Sequence, residues 1–192
     1  MNMLPTILVF LGAVLAPHGP EERAPAHWKL FVSKTQHFSV LYPPSWNRLL
    51  GLDYLPDTDR LEIINFPNSE RARGVVIKKG GAFISVVGVA PDSPPFGWHT
   101  VDDWIRFSLR AVTALDQTEI PVAAPTPGQC TTLKRVVRQI EMSPGAWQVD
   151  TSYYCTVGGW LYATFQTNWK GDPHQSDLQD TALKIALSLR SQ

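Results

Sequence analysis

Three β-type segments follow one another closely in the second half of the chain and constrain the fold most. They cover residues 131–142, 147–157 and 160–168. The connections between them are residues 143–146 and the glycine pair 158–159. Short connections of this kind join antiparallel neighbours, because parallel strands need a long crossover. The spacing therefore predicts an antiparallel meander.

Shorter strands are predicted before the meander. Lys29–Ser33 and residues 37–42 read as a hairpin, and the proline pair 43–44 ends the strand pairing because proline donates no ladder hydrogen bond. Residues 61–66 form the next predicted strand. Residues 82–90 are almost continuously apolar, which favours a central strand covered on both faces.

Two amphipathic helices complete the predicted elements. The first begins after Thr100, which forms a capping pattern with Asp103. Its apolar stripe is Val101, Trp104, Ile105, Leu109, Val112 and Leu115. The second begins at Ser176 or Asp177, and its apolar face is Leu178, Ala182, Ile185 and Leu189. Helices packed on a mainly antiparallel sheet define an α+β domain.

The amino-terminal end reads as an export signal. Residues 3–16 are almost entirely apolar, and Val14 and Ala16 are small residues at the positions that precede signal cleavage. We therefore expect a signal peptide at residues 1–16, a flexible leader at 17–27 and a single domain at 28–192. The apolar run lacks a preceding Lys or Arg, so an uncleaved anchor remains an alternative. The expected location is extracytoplasmic, periplasmic or secreted.

Charge and composition narrow the class of partner. Lys plus Arg and Asp plus Glu both total 17, so no global field favours nucleic acid or an anionic membrane surface. Hydrophobic residues make up 44% of the chain, which indicates a folded core. We expect no nucleic-acid partner and no stable membrane insertion once the signal is removed.

Cys130 and Cys155 are the two cysteines of the chain. An even count in an oxidising compartment favours a disulfide, and two buried thiols are the alternative. If residues 143–146 are the turn, Cys155 faces Lys134, which leaves Cys130 about 13 Å along the strand. A bond then requires a bulge or a chain reversal before Thr131, because bridged Cα atoms lie within about 7 Å.

The order of these elements resembles the Mog/PsbP-like α/β/α sandwich. The resemblance rests on the segment FSVLYPPSW at residues 38–46, the apolar run and loop at 61–67, and AFISVVGVAP at 82–91 before the helix. The meander and terminal helix complete it. The family includes an extrinsic photosystem II subunit and a Ran-binding transport factor, so the resemblance implies a scaffold used for binding and supplies no catalytic residues.

The residues themselves also indicate no reactive centre. The five histidines, at 18, 27, 37, 99 and 174, are not at metal-ligand spacing with each other or with cysteine. Asp57, Asp59 and Glu62 lack the glycine and spacing of a calcium loop and are better explained as a solvated turn. We expect no cofactor, no metal and no catalytic residue.

Aromatic and basic residues are the candidate binding groups. Trp147 and Tyr153 share one strand face and Trp160 and Tyr162 the face of the next, so these four either line a hydrophobic groove or pack in the core. Positive charge concentrates at Arg71, Arg73, Lys78 and Lys79, which form either a basic partner-binding loop or an ordinary soluble loop. Trp46 and Trp98 each follow a proline pair and are candidates for the rim of a site.

The sequence thus favours an exported, non-catalytic binding module for a protein or a small apolar ligand. A structural or assembly-factor subunit of an envelope complex is the alternative. A hydrolase is less favoured, because it requires His99 or His174 to converge with an acid and a hydroxyl in one pocket.

Overall fold

The computed structural model describes residues 25–49, 59–67, 77, 79–110 and 112–192. The elements follow in the order β1 (Lys29–Ser33), β2 (Phe38–Tyr42), β3 (Asn47–Arg48), β4 (Leu61–Ile64), β5 (Ala82–Val89), α1 (Val101–Ser108), β6 (Ala114–Pro121), β7 (Thr132–Ser143), β8 (Ala146–Val157), β9 (Trp160–Trp169), α2 (Gln175–Ser188) and β10 (Arg190–Ser191). The predicted hairpin, capped helix, meander and terminal helix are all present.

Seven strands form one antiparallel sheet in the order β3-β4-β5-β9-β8-β7-β6. The meander prediction is confirmed, because β7, β8 and β9 are neighbours in chain order. β5 lies inside the sheet between β4 and β9, as its apolar sequence predicts. Alternate residues of β5 point to opposite faces of the sheet. Ile84 and Val86 belong to one apolar cluster, and Val87 and Val89 pack against another.

One side of the large sheet, here called the α2 face, is covered by α2 and by a small sheet of order β1-β2-β10. Its core contains Phe31, Phe38, Val40, Leu61, Ile63, Ile84, Val86, Cys130, Leu133, Tyr153, Cys155, Tyr162, Ala182, Ile185, Ala186 and Leu189. This continuous cluster explains why α2 and the hairpin β1-β2 form, because each buries an apolar stripe on the sheet.

The opposite side, here called the α1 face, is covered by α1 and by the loop that precedes it. Its cluster contains Trp98, Val101, Trp104, Ile105, Val136, Tyr154, Leu161 and Ala163. A helix layer on each side of the sheet gives the α+β, α/β/α arrangement that the sequence predicts.

The prediction that α1 extends through Val112 and Leu115 is wrong. The helix ends at Ser108, and Leu115 lies in β6, where 59% of its surface is exposed. β6 was not predicted, because its residues are mostly exposed at the edge of the sheet and show no apolar alternation.

The register predicted for β7 and β8 is also wrong, by one residue. Lys134 pairs with Tyr154 rather than with Cys155, because the strands carry an irregularity between Glu141 and Ser143. Cys130 lies in the connection that reverses the chain from β6 into β7. Its Cα is 6.0 Å from that of Cys155, and the two sulfur atoms are bonded. The expected disulfide pairing therefore holds, through the chain reversal.

The predicted signal peptide at 1–16 and most of the leader at 17–27 lie outside the described residues. Within the described ranges, no helix has the length and apolar character needed to cross a bilayer.

Candidate functional site

Six aromatic side chains on the α1 face form one continuous arrangement, here called the aromatic stack. They are Phe96, Trp98, Trp104, Phe107, Tyr154 and Phe165. Phe96 stacks on Trp98 with centroids 4.5 Å apart and planes 3° apart, and Trp98 stacks on Trp104 at 4.8 Å and 13°. Trp104 then meets Tyr154 edge to face at 5.6 Å.

The aromatic stack runs from the sheet to solvent. Tyr154 is 1% exposed, Trp104 5% and Trp98 9%, whereas Phe107 is 37% and Phe96 53% exposed. Because Phe107 contacts both Phe96 and Trp98, at 5.2 and 5.4 Å, the exposed end presents three rings together. A surface apolar cluster supported by buried rings is the kind of feature that marks a recognition site.

A tight loop between β5 and α1 places Phe96 at the surface. The Asp92 amide donates to the Trp98 carbonyl at 2.9 Å and closes the base of the loop, while the Gly97 amide donates to Ser93 at 3.0 Å. Gly97 has a φ of +61°, which glycine adopts without a steric penalty. The loop geometry, rather than burial, therefore holds Phe96 against Trp98.

Polar contacts at the amino-terminal end of α1 fix the helix that carries Trp104 and Phe107. Thr100 and Asp103 form the predicted capping box, and the Thr100 hydroxyl hydrogen-bonded to the carboxylate holds the pKa of Asp103 below its usual value. Lys134 of β7 donates to Asp102 at 2.7 Å, and this bond raises the pKa of the lysine.

Arg138 of β7 fixes the other end of α1. Its guanidinium donates to the Ser108 carbonyl at 2.8 Å and pairs with Asp150 at 3.2 Å. Both charged side chains are largely buried, at 18% and 12% exposure. The Tyr154 hydroxyl reaches the Ser108 hydroxyl at 3.4 Å, and burial raises the pKa of this tyrosine. The helix is thus held by β7 at both ends.

Two arginines flank the exposed rings. The Arg110 guanidinium lies 5.0 Å from the centroid of Phe107, a cation–π arrangement. Arg106, one turn earlier, is exposed and pairs with Asp103 at 3.1 Å. The exposed end of the aromatic stack therefore combines apolar rings with guanidinium groups.

The four aromatic residues predicted to line a groove do not come together. Tyr153 and Tyr162 are buried in the α2-face core, which is the alternative that the sequence left open for them. Their hydroxyls donate to the carbonyls of Gln179 and His37. Burial raises the pKa of Tyr153 to about 12 and also raises the pKa of Tyr162.

Trp147 and Trp160 lie near opposite ends of the sheet. Trp160 pairs with Val157, ten residues from Trp147 along β8 or about 33 Å, and its ring contacts His37 at 4.8 Å. Trp147 instead lines a pocket of about 410 Å³ together with Lys79. This pocket, here called the end pocket, unites one predicted aromatic residue with one predicted basic residue.

The other basic residues, Arg71, Arg73 and Lys78, lie outside the described residues. Asp57 does as well, whereas Asp59 accepts hydrogen bonds from the Thr35 amide and hydroxyl at 2.7 and 3.1 Å. Partial burial acts to raise the pKa of Asp59, but these hydrogen bonds outweigh it and hold the pKa below its ordinary value. Glu62 pairs with Arg60 at 2.7 Å.

The histidines considered for a hydrolase form surface pairs. His99 contacts Asp92, and His174 lies 3.9 Å from Asp177; each of these four side chains is more than 60% exposed. Among the described residues, no three His, Cys, Asp or Glu side chains are grouped as metal ligands would be.

Trp98 was predicted as a rim candidate, whereas Phe96 and Phe107 were not predicted as site residues. Two local features of the sequence point to these residues. Phe96 and Trp98 follow the proline pair 94–95, and Phe107 lies one helical turn after Trp104. That the three rings meet depends on the path of the loop, which no spacing rule supplies.

Comparison with known proteins finds likeness in fold. No protein-family model and no curated protein matches the chain. Among solved structures, the Ran-binding protein Mog1p of Saccharomyces cerevisiae is 12% identical with a TM-score of 0.48, and the match covers 85% of this chain and 95% of that one. CyanoP, the cyanobacterial PsbP of Synechocystis sp. PCC 6803, is 12% identical with a TM-score of 0.46, and the match covers 91% and 100%.

A protein from Bacteroides thetaiotaomicron VPI-5482 is 13% identical with a TM-score of 0.47. The match covers 86% of this chain and 48% of that one, so this chain spans about half its length. Mog1p and CyanoP are of the Mog/PsbP-like kind that the sequence resembles. The likeness concerns the fold alone.

Proposed function

We propose that this protein is an exported, non-catalytic binding module that docks a partner protein on the exposed end of the aromatic stack. The observation that carries the proposal is the position of Phe96, which is 53% exposed although its ring lies flat on buried Trp98. An aromatic ring held in place before binding loses little conformational freedom on docking.

Burial of these rings is the driving force for docking. Phe96 and Phe107 together leave a large apolar area in water, and each Å² removed from water contributes about 25 cal/mol. Fixed aromatic residues that become fully desolvated are typical interface hot spots. The ties from β7 to both ends of α1 keep the docking surface from rearranging.

The flanking charges define the chemistry of the partner. Arg110 and Arg106 are exposed, and Arg110 has no ion-pair partner among the described residues. We infer a partner segment with an apolar anchor for the ring cluster and acidic side chains for the guanidinium groups, because complementary charge sets orientation and association rate.

The export part of the proposal is supported by the apolar leader at 3–16 and by the bonded pair Cys130 and Cys155, since disulfides persist in oxidising compartments. Fractionation of cells that express the full chain with a carboxy-terminal tag tests it. We expect an extracytoplasmic product that begins at Pro17. A cytosolic product with its original amino terminus would contradict export.

Photo-cross-linking from position 96 tests the docking surface. A photoreactive phenylalanine at Phe96 is compared with one at Met142, which is 55% exposed on another surface. We expect one protein to cross-link from position 96 and not from 142. Stoichiometric co-purification of that protein would make this chain a subunit of a stable complex. Equal labelling from both positions would contradict the proposal.

The purified partner then gives a quantitative readout. We expect Phe107→Ser to weaken binding about 30-fold, the equivalent of a 2 kcal/mol hot spot. Met142→Ser, a matched change of an exposed apolar residue, should leave affinity unchanged.

A further inference from the structure

The end pocket lies at the opposite part of the sheet from the aromatic stack. It is bounded by the turn before β5, the β7-β8 turn and the segment that follows β9. Trp147, at this end of β8, is seven residues from Tyr154, or about 23 Å along the strand. The end pocket has a volume of about 410 Å³, which is in the range of small-molecule sites.

Two partly buried indoles supply the apolar wall. Trp147 and Trp169 both line the pocket, and the Trp169 indole N–H donates to the Ile77 carbonyl, which fixes that ring. The Lys170 amide donates to the Trp147 carbonyl at 2.9 Å and ties the segment after β9 to β8. The pocket therefore offers flat surfaces on a fixed backbone.

The charge that the pocket presents is positive. Lys79 and Lys170 both line it, and the Lys170 ammonium lies 5.9 Å from the centroid of the Trp147 ring while it donates to Gln139 at 3.0 Å. The Lys79 ammonium has no ion-pair or hydrogen-bond partner among the described residues. Each ammonium has donors to spare for an anion.

Asp172 also lines the pocket and offsets part of this charge. One carboxylate oxygen accepts from the His174 amide at 2.8 Å. The other is shielded from solvent and meets no donor among the described residues. The wall has a net charge of about +1 from two lysines and one aspartate.

We propose that the end pocket binds a small aromatic carboxylate, with its ring packed on the indoles and its carboxylate held by Lys79 and Lys170. A planar ring matches the indole surfaces, and a single negative charge matches the net charge of the wall. The proposal is independent of the docking surface, because it involves none of the stack residues.

Titration of the full chain with 2-naphthoate tests this site. We expect saturable binding at concentrations below about 1 mM, and binding at least 10-fold weaker for 2-naphthylmethylamine, which has the same ring and the opposite charge. Equal affinity for the two probes, or no saturation by naphthoate in that range, would overturn the proposal.

Variants assign the site to its residues. Lys79→Met, Lys170→Met and Trp147→Leu should each weaken naphthoate binding at least 10-fold. Lys34→Met and Trp160→Leu are matched changes outside the pocket and should leave it unchanged. Equal losses in the control variants would contradict the assignment.

Amide chemical shifts of the unmodified protein test the site even if a pocket variant unfolds. In the unmodified protein, naphthoate should shift the amides of Gly80, Gly145 and Gly171, and shifts confined to Phe96 and Phe107 would overturn the proposal. Because Phe107→Ser should leave naphthoate binding unchanged, failure of this site and failure of the docking surface are distinguishable.

Discussion

The two faces of the seven-stranded sheet use similar aromatic side chains in opposite ways. On the α2 face, Phe38 of the small sheet is fully buried between Tyr162 of the large sheet and other core residues, in a layer that includes a helix of 14 residues. On the α1 face, a helix of 8 residues leaves Phe96 more than half exposed. The extent of the covering layer, rather than residue type, therefore decides whether an aromatic cluster lies in the core or at the surface.

Hydrogen bonds show the same contrast between the α2 face and the α1 face. The α2 face is closed by hydrogen bonds from the large sheet to the β1-β2 turn: the Tyr162 hydroxyl donates to the His37 carbonyl, and the Gly88 amide donates to the Gln36 side chain, both at 2.8 Å. A Cβ at Gly88 would lie 2.8 Å from the Gln36 carbonyl oxygen in the β1-β2 turn, so the layers are in close contact. On the α1 face, the ties hold the helix and leave the loop tip open.

The α2 face is thus a closed face, and the α1 face is an open face. The largest expected effect comes from the closed face. Phe38→Ala should lower the free energy of unfolding by about 4 kcal/mol, because it removes a fully buried ring that contacts Phe31 and Tyr162. Phe96→Ala, the matched change on the open face, should cost less than about 0.5 kcal/mol. Urea unfolding measures both, and equal costs would remove the contrast between the faces.

The disulfide belongs to the closed face and ranks next. Cys130→Ala with Cys155→Ala should lower stability by about 3 kcal/mol, because the bond closes a loop of 25 residues in the unfolded chain. The comparison is made by urea unfolding of the oxidised protein and the double variant. No change in the unfolding midpoint would show that the pairing contributes nothing to this face.

Arg138→Met tests how the open face is held, with an expected cost of about 2 kcal/mol. The change leaves Asp150, at 12% exposure, without its cation and removes the donor to Ser108. Arg106→Met is the control, because its pair with Asp103 is 75% and 30% exposed and should contribute less than about 0.5 kcal/mol. Near-ultraviolet circular dichroism should report loosening of the stacked indoles for Arg138→Met alone.

Alkaline titration tests a buried ionisable group of the closed face. Burial raises the pKa of Tyr153 to about 12 from its ordinary value of about 10, so the folded state holds a proton that the unfolded chain releases above about pH 10. The stability from this group is complete below pH 10 and is lost as the pH rises through about 12. Tyr153→Phe should therefore lose stability less steeply than the unmodified protein across this window.

At pH 7 the same Tyr153→Phe change should cost about 1 kcal/mol, because it removes the hydrogen bond to the Gln179 carbonyl. Tyr154 and Tyr162 have pKa values raised in the same direction, so part of the alkaline loss should remain in the variant. Parallel stability curves for the two proteins would contradict the assignment to Tyr153.

Local signals in the sequence predicted the elements of both faces. The meander followed from short connections, and the start of α1 followed from the Thr100 and Asp103 capping pattern, because each depends on neighbouring residues. The strand β6 was missed, since an exposed edge strand needs no apolar alternation. The register of β7 was wrong because the irregularity before Ser143 adds one residue without a distinct sequence signal.

The residues of the candidate site were harder to predict from the sequence than the helices and strands, for a physical reason. The strand-face pattern of the aromatic residues indicated either a groove or a core. In the structure Tyr153 and Tyr162 are buried in the core, whereas Phe96 is exposed at the surface. Exposure depends on how far the covering layer extends, which is a long-range property. Among the predicted binding residues that the structure describes, Trp147 and Lys79 are the two that line one pocket.

The most direct test of the docking surface is the affinity of the cross-linked partner for a Phe96→Ser/Phe107→Ser double variant, measured beside its unfolding free energy. We expect affinity to fall at least about 30-fold while stability changes by less than about 1 kcal/mol. Unchanged affinity in a folded double variant would contradict the claim that the open face of the sheet is the binding surface.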